Sequence, residues 1–245
     1  MLRCFFGALG HFIFFGLLVG LIVPGYLFYF IFRPFINRPR EFFQRGAAFV
    51  YRIFFAITPK IILEKDLLPT IPQGVIFIST HQSILDFPAI ATIVDNFLIF
   101  ANVNLGKYKI VEKITDSVGV RYIKGKKIEE LSTMYKEIED QLNANGNVIY
   151  FPEGSRHRGN KLLPFKRGAF KMAKKKNKPI APIIIEGAYK LLPKKTFCFA
   201  SNKTVTIHLK MLSPLNPGDY TSEVEMMQHA QKIMQEEKDR LCELL

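Results

Sequence analysis

The chain is 245 residues long, 49% hydrophobic and 22% charged, with a formal net charge of +13; that length suits one catalytic domain with an appendage and a sizeable buried core. Its three cysteines, Cys4, Cys198 and Cys242, are too scattered for a CxxC metal site or a disulfide framework and fit a reducing compartment. The positive excess is local, since residues 154–218 hold 15 Lys and Arg against the single acid Glu186. Such a block attracts phosphorylated substrates, anionic bilayers or nucleic acid. Nucleic acid ranks last, because no recognised binding module is present and the chain opens on an apolar anchor.

From Cys4 to Phe32 there is no charged residue, more than the roughly 20 apolar residues that span a bilayer. The run is too long for a signal peptide and lacks a small-residue cleavage site. Pro24-Gly25 interrupts it, so spanning, re-entrant and shallow placements all stay open. Arg33, Arg38 and Arg40 follow, a cluster expected on the cytoplasmic side. Phe42 to Leu63 sets Arg45, Arg52 and Lys60 among aromatics and aliphatics. This pattern fits either an interfacial helix or a helix packed on the following domain.

From about Leu68 short apolar runs alternate with helical patterns, which argues for an α/β fold. Val75–Ser79 reads as a buried strand and Phe87–Asp95 as a helix with Pro88 in its first turn. Phe97–Ala101 and Val120–Ile123 are strand candidates. Ile128, Leu131, Tyr135, Ile138 and Leu142 recur at helical spacing, and Asn145-Gly146 closes that helix. Val148–Phe151 reads as a strand, Phe165–Lys176 as a basic helix, and Ile180–Ile185 and Thr204–Met211 as strands. Ser222 and Glu225 make a capping-box start for a last helix. The expectation is a mixed, largely parallel sheet flanked by helices, with residues 1–63 as a membrane-anchoring and interfacial element and 64–245 as the catalytic domain.

Two motifs carry the chemistry, each behind a strand. In THQSILD, four residues separate His81 from Asp86. A strand-to-helix turn can fold them together, so that Asp86 fixes the tautomer of His81 and leaves its other nitrogen as a base. The competing role for Asp86 is a helix N-cap, and Ser83 reads as a turn or capping hydroxyl rather than a nucleophile. In FPEGSR, Pro152 and Gly154 set a tight turn that aims Glu153 and Arg156 toward the same sheet edge as His81. An arginine there can hold a phosphate through two parallel hydrogen bonds. His157 and Arg158 are assigned to solvent.

THQSILD, FPEGSR, PFKRGAF (Pro164 to Phe170) and PIAP (Pro179 to Pro182) together resemble the glycerolipid acyltransferases, specifically the lysophosphatidic acid acyltransferase branch. The resemblance covers about residues 75–185. It implies His81 as general base, Asp86 as its orienter, and Glu153, Gly154, Ser155 and Arg156 in the substrate site with Lys166 nearby; Pro182 falls in the last motif. Two departures stand out. Thr80 replaces the Asn common before the catalytic His, and the second motif offers Gly119, Tyr122 and Ile123 but has Gly125 where the family has arginine. Lys124 and Lys126 flank that position as substitute cations, without arginine's fork.

The implied reaction moves a fatty acyl group from acyl-CoA or acyl-carrier protein to the free hydroxyl of lysophosphatidic acid at a membrane. It implies no metal and no bound cofactor, the thioester being a co-substrate. Rival readings are another lysophospholipid or lyso-aminolipid acceptor, and a non-catalytic membrane-anchored binding protein.

Overall fold

A computed structural model describes residues 31, 39–58, 61–102, 112, 115–123, 128–193 and 203–243. The apolar run 4–32, apart from Ile31, lies outside the described residues, as do Arg33, Arg38, Cys4, Cys198, Lys124, Gly125 and Lys126. Among the described residues no helix is long and apolar enough to cross a membrane.

In chain order the elements are α1 (Pro39–Ile57), β1 (Ile61–Asp66), β2 (Ile76–Ser79), α2 (Asp86–Ala91), β3 (Phe97–Asn102), β4 (Val120–Ile123), α3 (Ile128–Asn143) and β5 (Asn147–Tyr150), followed by α4 (Gly168–Lys176), β6 (Ile180–Glu186), α5 (Ala188–Leu191), β7 (Val205–Met211) and α6 (Glu223–Glu243). Seven strands form one sheet in the order β1-β7-β6-β2-β5-β3-β4. Every neighbouring pair is parallel except β6 and β7, which run antiparallel.

Alternation along the strands sorts two cores onto the two sheet faces. Phe77, Phe97, Ile149, Ile183 and Ile185 pack with Tyr51, Phe54 and Phe55 of α1 and with α2 and α5. Ile76, Ile78, Leu98, Val148, Ile180 and Ile184 pack with α3, α4 and α6. Covered on both faces, the central strands are near-continuous apolar runs, as parallel sheets require. All seven residues of β6 are buried.

Four expected boundaries shift. The stretch from Phe42 stops being helical at Ile57, where the Thr58 hydroxyl and N–H both turn back to the Phe54 carbonyl ahead of Pro59. Ile61–Asp66 is a strand held by β7, so the boundary drawn at 63/64 falls inside the sheet. Tyr51, Phe54 and Phe55 are buried against the domain, while Phe49 and Ile57 stay more than half exposed. α4 begins at Gly168 rather than Phe165; Phe165 and Lys166 belong to the loop before it, their N–H groups bonded to the Gln231 side chain and the Pro152 carbonyl. α2 ends at Ala91 and leaves Thr92–Asn96 to turn into β3, with Asn96 at φ 45°.

The other ends follow the sequence. Asn145 takes the left-handed conformation after α3 (φ 57°), and Gly146 N–H caps back onto the Gln141 carbonyl at 2.8 Å. At the start of α6 Ser222 Oγ accepts from Glu225 N–H at 3.2 Å. The Glu225 carboxylate, however, turns to the N–H and hydroxyl of Thr221, one residue earlier than a capping box places it.

Candidate active site

The strands β6, β2 and β5 are adjacent and parallel, and their carboxyl ends deliver Glu186, His81 and Glu153 to one sheet edge. That edge is where open α/β sheets bind ligands. Thr80, the first residue past β2, extends the pairing with its side chain: its hydroxyl accepts from Ile185 N–H at 2.8 Å and donates to the Ile185 carbonyl at 3.0 Å. The hydroxyl thus performs a local bonding role where the resembling family has Asn.

His81 and Asp86 meet across the turn, with Nδ1 to Oδ2 at 2.9 Å. The same Oδ2 accepts the backbone N–H groups of Gln82 at 2.6 Å and Ser83 at 2.8 Å. An oxygen already taking two N–H donors acts as an acceptor, so Nδ1 carries the proton and Nε2 of the neutral ring is left with a lone pair. Asp86 is fully buried, whereas the imidazole keeps 21% of its surface exposed. The ring stacks on Phe151, centroids 4.0 Å apart and planes 19° off parallel. Asp86 therefore bonds the turn that precedes α2 and not the N–H groups of the helix itself. Ser83 is structural: its buried Oγ donates to the Leu192 carbonyl at 2.7 Å and accepts from Leu85 N–H at 3.3 Å.

The FPEGSR turn locks onto the same loop. Glu153 Oε1 accepts from His81 N–H at 3.1 Å, and Oε2 accepts from Leu163 N–H at 3.0 Å. His157 N–H donates to the His81 carbonyl at 2.9 Å, so both main-chain polar groups of His81 are tied to this turn. Gly154 sits at φ +69°, and a Cβ there would fall 2.2 Å from Lys166 Nζ. The lysine lies across the glycine because the turn leaves no side chain in the way. Arg156, half-buried, sits next to the residue that bonds His81, Ser155 is exposed, and Lys166 is exposed.

Burial pushes the Glu153 carboxyl above the ordinary carboxylate range, and the N–H bonds from Leu163 and His81 pull it back in part. Glu153→Gln is expected to cost about 1–3 kcal/mol, because an amide has one acceptor oxygen for two N–H donors and sets an NH₂ against the other. A carboxyl with a raised folded-state pKa contributes stability that is fully present below its unfolded value. That contribution is lost as the pH rises through the folded value. Urea unfolding across the acid range should therefore show the largest penalty for Glu153→Gln at low pH, shrinking as Glu153 ionises.

Behind the dyad lies a polar cluster that the sequence reading did not assign. Gln82 Nε2 donates to Glu186 Oε2 at 2.6 Å, and Lys238 of α6 donates to that same oxygen. Gln82, Glu186 and Lys238 are 2%, 1% and 3% exposed. Two signals pointed here. Glu186 is the one acid in the basic stretch, and Lys238 occupies an apolar stripe with Met226, Ala230 and Met234 at every fourth position.

The basic block is partly neutralised by acids from outside it. Lys175 and Lys176 pair with Glu139, Lys210 with Asp66 and Glu237, and Lys174 donates to the carbonyls of Pro217 and Tyr220. Gly119, the start of the second motif, has φ +84°, and a Cβ would meet the Phe97 carbonyl at 2.4 Å and Gln44 Nε2 at 2.6 Å. Its role is close packing. Pro182 falls between the ladder pairing β6 with β7 from Ile183 onward and the bridge from Ile180 to Leu215, where its missing N–H is tolerated.

Comparison with known proteins extends this picture. A family model described as Acyltransferase matches residues 62–186. The chain is 27% identical over 233 residues to a putative 1-acyl-sn-glycerol-3-phosphate acyltransferase of Caenorhabditis elegans, covering 90% of this chain and 84% of that one. It is 24% identical over 181 residues to a chloroplastic 1-acyl-sn-glycerol-3-phosphate acyltransferase of Brassica napus, covering 72% of this chain and 51% of the relative. The matched region thus spans only about half the length of that plant relative. The crystal structure of the 1-acyl-sn-glycerophosphate (LPA) acyltransferase PlsC from Thermotoga maritima shares the fold, with a TM-score of 0.76 at 22% identity, covering 98% of this chain and 97% of that chain.

Proposed function

Because this chain belongs to the acyltransferase family, we propose that it transfers a fatty acyl group from acyl-CoA or acyl-carrier protein to the free hydroxyl of lysophosphatidic acid, giving phosphatidic acid. The observation that carries the reading is the His81 ring, held at Nδ1 by Asp86 with Nε2 free of that bond. Nε2 takes the proton of the acceptor hydroxyl as its oxygen attacks the thioester carbonyl. The carbon–sulfur bond breaks, and the imidazolium returns the proton to the departing thiolate. The acceptor is its own nucleophile, so no acyl-enzyme forms, and no metal or bound cofactor enters the scheme.

Arg156 and Lys166, on the turn bonded to His81 and across Gly154, are the cations assigned to the acceptor phosphate. Lys124 and Lys126 are assigned as auxiliary cations from the sequence alone. The apolar run from Cys4 and the arginines after it support attachment to the cytoplasmic face of a membrane. Exposed Phe49 and Ile57 on α1, with Ile84 exposed in the catalytic turn itself, support delivery of an acceptor whose tail stays in the lipid.

The test is thioester-dependent acylation by the purified full chain in mixed micelles, with lysophosphatidic acid offered beside lysophosphatidylcholine and a lyso-aminolipid. Phosphatidic acid as the main product supports the reading. Transfer to another acceptor alone retains the mechanism and moves the acceptor assignment to the altered second motif. No transfer from either donor to any acceptor would leave a membrane-anchored binding protein.

A further inference from the structure

We propose that Gln82, Glu186 and Lys238 form a positioning relay, through which the C-terminal helix α6 sets the geometry of the His81–Asp86 dyad. The proposal rests on the acyl-transfer reading and adds to it Gln82, inside the first motif but given no role there, and Glu186 and Lys238, which lie outside all four motifs.

The relay is continuous. Gln82 is gripped at both ends, its main-chain N–H on Asp86 at 2.6 Å and its side-chain Nε2 on Glu186 at 2.6 Å. The Gln82 amide oxygen is buried and has no hydrogen-bond partner among the described residues, so the Nε2 bond alone sets the orientation of the amide. Glu186 closes β6 on the face that Ile180 and Ile184 share with α6, and Lys238 reaches it from the apolar stripe of that helix. The neighbouring Cys242 thiol, 3.9 Å from Lys238 Nζ, is pushed up by burial and by Glu186. It therefore does not compete as an anion for the ammonium.

A buried ion pair is weak evidence for stability, since apolar residues of similar size do as well or better. Fastening α6 to β6 needs no charge either: Met226, Ala230, Met234 and Leu241 already bury that interface. What the pair adds is direction. Glu186 Oε2 is held by Lys238 at one fixed point and thereby fixes the amide of the residue next to the base. The Gln82 N–H then meets Asp86 while Asp86 meets Nδ1. Shifts of about 1 Å in a reacting group can cost on the order of 100-fold in rate.

The experiment compares the wild-type full chain with Gln82→Met, Glu186→Leu/Lys238→Met and the triple variant. Each is assayed for kcat and KM in mixed micelles and for the downfield proton resonance of the His81 Nδ1–H. Gln82→Met keeps the ion pair and cuts only the link. The expected result is a loss of roughly 10–100-fold in kcat with KM for lysophosphatidic acid unchanged. The His81 resonance should shift or broaden in both variants, and the triple variant should be no worse than either.

Wild-type kcat together with an unmoved resonance in folded Gln82→Met would overturn the relay. Losses that multiply in the triple variant would do the same, because they would mean the ion pair acts by another route. If the ion-pair variant does not fold, Gln82→Met decides alone. A wild type that acylates no acceptor refutes the acyl-transfer reading instead, and the resonance still reports whether the relay holds the ring.

Discussion

His81→Ala is expected to fold normally and to lose acyl transfer by about 10²–10⁴-fold, the contribution typical of a positioned general base. The fold should survive because the imidazole is partly exposed, stacked on Phe151 rather than buried in the core. The main-chain bonds of residue 81 to Glu153 and His157 do not involve the side chain. The loss should fall on kcat, with binding of the acceptor phosphate, proposed for Arg156 and Lys166, retained. Steady-state rates on lysophosphatidic acid and circular dichroism of the same preparation check both halves. A variant within threefold of wild type, on the order of 0.6 kcal/mol in the barrier, would remove His81 as the base and with it the proposed mechanism.

Lys238→Met is expected to cost about 3–5 kcal/mol, because it leaves the Glu186 carboxylate buried without its cation. In a chain of this size that is roughly 6–20 °C in Tm. The Gln82 amide still donates to Oε2, but a neutral group cannot replace an ammonium. Glu186→Leu/Lys238→Met, which removes both charges, should recover most of the loss, since what destabilises is the orphaned charge and not the missing attraction. Thermal unfolding of the two variants side by side checks this. Equal and large losses in both would show that the pair itself, rather than an unpaired carboxylate, carries the stability.

The His–Asp turn was legible in the chain because its information is local. A strand, a four-residue turn and a helix start leave His81 and Asp86 little choice but to meet. The central strands were legible for the same reason, as short apolar runs with turn residues at their ends, and so was the end of α3 at Asn145-Gly146. β1 was not. Ile61–Asp66 carries no strand alternation strong enough to outvote the helical pattern before it, and it becomes a strand because β7 offers a parallel partner along its whole length. The start of α4 was not legible either, because Phe165 and Lys166 lie in a loop tied to Gln231 and Pro152, partners distant in the chain.

The sequence by itself determined the α/β class, the dyad and the turn that faces it, because periodicity and spacing are properties of neighbours in the chain. Only the tertiary structure decided that Glu186, Gln82 and Lys238 converge behind the dyad. Their meeting depends on which strand lies beside β2 and which helix covers β6. A buried charge declares its partner only when the sheet order and the helix face are both fixed, and no local pattern encodes either.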